Sequence, residues 1–173
     1  TSASAQQKGY YRSPAIFKNT IVFTAEGDLW KYDLSSGNTA RLTTHAGVES
    51  NATFSPDGSY LVFTAEYEGS PEIYRMPVSG GVPKRLTYDF EGYGINISGF
   101  TPDGKILYRT GRFAQLPTPQ LVKLDPLTTI AEPVPLWQAS FGAYDNDGNL
   151  FFTRLPNQGS KTKRYKGGNI EQI

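Results

Sequence analysis

Apolar and polar positions alternate with a period of two in short runs along this chain, and the runs return in the same order. Asp28-Leu29-Trp30-Lys31-Tyr32-Asp33 is matched by Glu72-Ile73-Tyr74-Arg75-Met76-Pro77, each the pattern of a strand with one face turned inward. The run before each is the nearly continuous Ile21-Val22-Phe23-Thr24-Ala25-Glu26, repeated as Leu61-Val62-Phe63-Thr64-Ala65-Glu66. The run after each ends Ala40-Arg41-Leu42-Thr43, returning 44 residues later as Lys84-Arg85-Leu86-Thr87. Further strands are predicted at 105–109 and 120–125, separated by a longer loop with Pro117 and Pro119, then around 133–136, at 140–143 and 150–153, and from near Ile170. The 133–136 strand is assigned to a sheet edge, where prolines without an N–H are tolerated.

Turn chemistry carries the same period. Phe54-Ser55-Pro56-Asp57-Gly58 recurs as Phe100-Thr101-Pro102-Asp103-Gly104, and a weaker copy is Tyr144-Asp145-Asn146-Asp147-Gly148. The first interval, Asp57 to Asp103, is 46 residues and the second is 44, which is the length of a four-stranded propeller blade. Pro sets φ at the second turn position, Asp bonds nearby backbone, and Gly takes the left-handed conformation. The three aspartates are therefore read as turn residues rather than acids or ligands.

The expected fold is all-β: a β-propeller of four-stranded antiparallel sheets forming an incomplete ring of about three and a half blades. Residues 1–12 form a signal-peptide remnant or disordered start, followed by blades at 13–50, 51–96 and 97–138 and a truncated fourth at 139–173. Closed rings need about four to eight blades, so the sequence reads as part of something longer, with an open edge that invites association with another copy.

Composition agrees with this reading. The 173 residues include 10 Phe, 11 Tyr, 18 Gly and 12 Pro, a mixture that suits pleated surfaces and interrupts helices. A net charge of +1 with scattered Lys and Arg offers no electrostatic footprint for nucleic acid, and no run reaches the roughly 20 apolar residues of a membrane span. Without Cys, disulfides, zinc fingers and thiol catalysis are excluded. The Ala3-Ser4-Ala5 stretch has the Ala-x-Ala pattern found beside signal-peptidase sites, so a periplasmic or secreted protein is expected.

Candidate chemistry is sparse. His45 alone could serve a serine nucleophile, no Gly-x-Ser-x-Gly elbow accompanies it, and its turn-like flanks make it a locally packed loop residue. Glu66, Glu68, Glu72, Asp89 and Glu91 raise the possibility of paired glycosidase carboxylates, but Glu66 and Glu72 flank a hairpin loop and read as solvated. Catalytic residues, metal ligands and cofactors are all expected to be absent. Two segments read as contact surface for a peptide or protein: the aromatic loop with Tyr88, Phe90 and Tyr93, and the basic run with Arg164, Tyr165 and Lys166. Trp30 and Trp137 are read as core aromatics.

Once the blades are laid over one another, the chain resembles the N-terminal propeller of tricorn-type proteases and their exported bacterial homologues. The likeness rests on residues 27–37, on Arg41-Leu42-Thr43, on the stretch from Gly47 to Gly58, on Lys84-Arg85-Leu86-Thr87-Tyr88 and on Lys163-Arg164-Tyr165-Lys166-Gly167-Gly168. It implies a non-catalytic segment that gates or guides peptides to a downstream serine-peptidase domain of the same chain, where nucleophile, histidine and a PDZ domain lie. TolB-type propellers, which are WD-repeat-like, share the Phe-Ser-Pro-Asp-Gly element, and the alternative is a protein-binding or peptide-binding module of that type without peptidase activity.

Overall fold

In the computed structural model, which describes residues 10–89, 94–113, 119–136 and 139–154, aromatic and β-branched runs become strands and the Gly- or Pro-containing intervals between them turns; the strand expected from near Ile170 lies outside these residues. Among these residues there is no helix. The first sheet is β1 (Tyr11–Phe17), β2 (Thr20–Ala25), β3 (Asp28–Asp33) and β4 (Thr39–Arg41), in that spatial order. The second repeats it with β5 (Glu49–Phe54), β6 (Tyr60–Ala65), β7 (Glu72–Pro77) and β8 (Lys84–Arg85), and the third with β9 (Asn96–Phe100), β10 (Ile106–Thr110), β11 (Gln120–Leu124) and β12 (Ala131–Pro133). A two-stranded sheet of β13 (Phe141–Tyr144) and β14 (Leu150–Thr153) follows. All pairings are antiparallel.

The sheets succeed one another around an axis. Their first strands make the contacts between neighbours, β1 with β5, β5 with β9 and β9 with β13, while β4 is exposed at all three residues. This is a partial β-propeller. Period-two alternation divides the core between successive gaps. Leu61 and Phe63 of β6 pack toward Val22 and Leu29 of the first sheet, whereas Val62 between them packs with Ile106, Tyr108 and Val122 of the third. Leu107 and Leu121 then face Leu150 and Phe152. A sheet buried on both faces needs an unbroken apolar strand, which is why β6 lacks clean alternation.

The inner strands carry bulges that the sequence does not announce. Register shifts between Arg12 and Ala15 in β1 and between Ser50 and Thr53 in β5, with Ser13 at φ 48° and Asn51 at φ 54°. A bulge adds twist and bends the strand, as the crowded inner end of a wedge requires. The two bulges face each other, Ser13 Oγ donating to Asn51 Oδ1 at 3.4 Å.

The Pro-Asp-Gly segments are turns. Asp57 accepts from the Ser55 hydroxyl at 2.6 Å and from the Ser59 backbone N–H and hydroxyl, bonds that hold its carboxyl down to about 2. In the third copy Asp145, not Asp147, does the accepting, from the N–H groups of Asp147 and Asn149. One strand lies earlier than the sequence indicates: β12 is Ala131–Pro133, not 133–136. Pro133 ends the ladder opposite Val122, and Val134 N–H then donates to Leu121 O, as Leu42 does to Leu29 O and Leu86 to Ile73 O.

Candidate contact face

Antiparallel order puts the β2–β3, β4–β5, β6–β7, β8–β9 and β10–β11 connections on one end of the sheets and the Pro-Asp-Gly turns on the other. His45, Glu66, Glu68, Tyr88, Asp89 and Arg112 therefore share one face.

That face is built on a repeated polar latch. In the second sheet Glu72 opens β7 and Arg85 closes β8; the pairing of these strands brings together side chains 13 positions apart at 3.2 Å. Thr87 accepts from Ile73 N–H at 2.8 Å and donates to Glu72 Oε2, while Arg85 Nε donates to Thr87 O at 2.8 Å. Asp89 N–H completes the shell of Glu72 at 3.2 Å. Glu72 is 1% exposed, which corrects the expectation of a solvated hairpin acid. A carboxylate can be buried here because a guanidinium and two further donors replace its water.

Asp89, 4% exposed, is bound by Arg112 Nη1 at 3.0 Å and the Tyr108 hydroxyl at 3.2 Å, tying the second sheet to the third. Burial, then the Asp89 charge, pushes the Tyr108 hydroxyl up from its ordinary value. The first sheet carries the same latch with Asp28, Arg41 and Thr43, where Leu29 N–H donates to Thr43 Oγ1 at 2.8 Å and Thr43 donates onward to Glu49 Oε2 at 3.0 Å.

Of the contact residues expected from sequence, Tyr88 is 58% exposed and forms the ring face on which Arg85 stacks, 4.3 Å from the centroid. Phe90, Tyr93, Arg164, Tyr165 and Lys166 lie outside the described residues, as do Glu91 and Trp137. His45 is a packed loop residue: its Nδ1 accepts from Gly47 N–H at 2.9 Å and its ring lies 4.1 Å from that of Tyr67. The glycosidase pairing finds no support, because Glu72 and Asp89 are each neutralised by an arginine and Glu68 also binds Arg85. Among the described residues no three His, Cys, Asp or Glu side chains gather as a metal site. Nor, among the described residues, is any helix long and apolar enough to cross a membrane.

Sequence reasoning missed Arg85, Asp89 and Arg112 as organisers of this face. For Arg85 the signal was the acid at the head of the third strand, 13 residues before the arginine in both repeats; Asp89 and Arg112 had none. Two concavities lie elsewhere: a groove of about 1100 Å³ on the outer face of the first sheet, lined by Tyr11, Phe23, Trp30 and Tyr32, and a cleft of about 390 Å³ between β9 and the fourth sheet, beside Ser98, Phe141 and Phe151.

Repeated four-stranded sheets, first strands innermost and latched at one end, define a segment of a β-propeller. The chain belongs to the tricorn protease N-terminal β-propeller family, whose model, described as "Tricorn protease N-terminal beta propeller domain", matches residues 8–173. It is 30% identical over 171 residues to the tricorn protease of Thermoplasma volcanium, covering 94% of this chain and 16% of that protein. A crystal structure of the tricorn protease superposes with a TM-score of 0.77 at 26% identity, over 94% of this chain and 17% of that one. TolB from Acinetobacter baumannii is similar at TM-score 0.70 and 27% identity, over 89% of this chain and 39% of that one. The chain thus spans less than a fifth of the length of these two tricorn proteases.

Proposed function

We propose that this propeller segment guides peptide substrates to a serine-peptidase domain carried by the same protein, itself contributing contacts rather than reacting groups. The observation that carries the reading is the family match over residues 8–173. The face described above supports it: buried latches hold an exposed aromatic, Tyr88, and a half-exposed cation, Arg112, at fixed positions on the loop end of the sheets. Rigid anchors of this kind grip an extended chain without the entropy cost of ordering mobile loops. The sequence-derived contacts Phe90, Tyr93, Arg164, Tyr165 and Lys166 belong to the same proposal. The Ala3-Ser4-Ala5 pattern supports a periplasmic or secreted location.

The test uses the full-length protein with Tyr88→Ala. Hydrolysis of a long unfolded polypeptide is expected to fall by roughly tenfold in kcat/KM, the equivalent of about 1.4 kcal/mol, with turnover of a short chromogenic peptide unchanged. Equal loss on both substrates, or none on either, contradicts guidance by this face. The likeness to TolB favours a second reading, a module that binds a protein or peptide and serves no peptidase. Peptide binding by a full-length protein that hydrolyses neither substrate would select it.

A further inference from the structure

Glu49 begins β5 at the junction of the first two sheets and is 0% exposed. Comparison of the two latches shows why it is there. In the second sheet the threonine hydroxyl donates to Glu72, which also holds Arg85. Asp28, the counterpart of Glu72, is one methylene shorter; it binds Arg41 through Oδ2, and Thr43 donates to Glu49 instead. Each of the two acids is left with an oxygen that is buried and has no donor: Oε1 of Glu49 and Oδ1 of Asp28. Burying a carboxylate oxygen without a donor is costly, and the one cation of the latch, Arg41, is 46% exposed and bonded to Asp28 rather than to Glu49. The head of β5 is also tied to the head of β3, Glu49 N–H donating to Gly27 O at 2.8 Å, which sets the two acids beside each other. A single proton between them would give both orphaned oxygens a partner.

We propose that Glu49 is a carboxylic acid in the native fold, donating its Oε1 proton to Oδ1 of Asp28, and that loss of this proton to solvent loosens the junction between the first and second sheets. Polar and aromatic groups from several elements surround Glu49. From β3 comes Asp28, from β4 Arg41, from the β4–β5 connection Thr43 and His45, from the β6–β7 connection Tyr67, and from β7 Tyr74, whose ring lies 4.6 Å from that of Tyr67. Burial pushes the Glu49 carboxyl up from its ordinary value and the Asp28 charge adds to this, while the hydrogen bonds that the Tyr67 and Thr43 hydroxyls donate to Glu49, and the nearby His45, act in the opposite direction. The sign follows: the folded state holds this proton more tightly than the unfolded state does. Its contribution to stability is complete below the ordinary glutamate value of 4.5, declines as pH rises to the elevated native value, and stays lost above it.

The experiment is hydrogen exchange of the β5 amides in the full-length protein from acidic to mildly alkaline pH, corrected for intrinsic rates, comparing wild type with Glu49→Gln. The glutamine is neutral and keeps a donor for Asp28. Protection is expected to match at the acid end; as pH rises it falls in wild type relative to the variant, by roughly tenfold for each pH unit by which the Glu49 value is raised. Infrared difference spectra with isotope-labelled glutamate should contain a protonated-carboxyl band that Glu49→Gln removes. Parallel exchange profiles, or no such band, overturn the proposal. If Glu49→Gln does not fold, Asp28→Asn provides the readout: the band should titrate at lower pH than in wild type, and an unchanged midpoint overturns the idea. Restoration of protection at alkaline pH by added Na⁺, K⁺ or Ca²⁺, with disappearance of the band, also overturns it and assigns the oxygens to a cation.

Discussion

Gly58 and Gly104 occupy the same position in two copies of one turn, with φ of 74° and 79°, and so share a backbone reason for being glycine. They differ in their surroundings. A Cβ at Gly58 would stand 2.1 Å from the Phe17 ring of the preceding sheet, whereas one at Gly104 would meet nothing within 4 Å. Phe17 in turn stacks on Phe54, so the ring cannot swing aside without disturbing the gap between the first two sheets. Gly104→Ala is expected to cost about 1–2 kcal/mol, the left-handed penalty alone. Gly58→Ala should cost about 2–5 kcal/mol, because overpacking is added. Urea unfolding of both variants checks this, and equal losses would mean that Phe17 is not held in place.

At the scale of elements, the latch explains why a strand as short as β8, Lys84–Arg85, stays paired. Two ladder residues give little by themselves, but Arg85, Thr87 and Glu72 fasten the end of β8 to the head of β7 through buried charge-assisted bonds. Replacement of Thr87 by Val keeps the shape, strands Ile73 N–H without its acceptor and removes one of the donors to Glu72. The expected loss is about 2–3 kcal/mol by denaturant titration, the desolvation cost of groups left unpaired in the interior. A loss below about 0.5 kcal/mol would show that water enters the latch. The buried acids were hard to recognise in the sequence for the same reason. A glutamate beside a hairpin reads as solvated, and nothing local reveals that strand pairing will bring Arg85 to Glu72, or that Arg112 on the third sheet will reach Asp89 across 23 positions. The bulges at Ser13 and Asn51 escape notice as well, because neither positive-φ residue is glycine.

Over the whole molecule, burial is uneven. The second sheet is covered on both faces, by the first and third, so that five of the six residues of β6 and four of the six of β7 are buried. In contrast, β4 has no buried residue, and Ile16 and Phe151 are exposed on the first and fourth sheets. Amides of β6 and β7 are therefore expected to exchange roughly a hundredfold more slowly than those of β4, about 3 kcal/mol of protection, since local opening is easiest where little apolar area is buried. Uniform protection across the sheets would contradict this gradient. The sequence alone determined the blade order, the strand periodicity and the turn positions, because these depend on neighbouring residues: a proline fixes its own φ, a glycine its own turn, and alternation its own strand. Only the tertiary structure decided which acids are buried, which arginines neutralise them and where Glu49 meets Asp28, because those pairings join residues that the chain keeps apart until the sheets assemble.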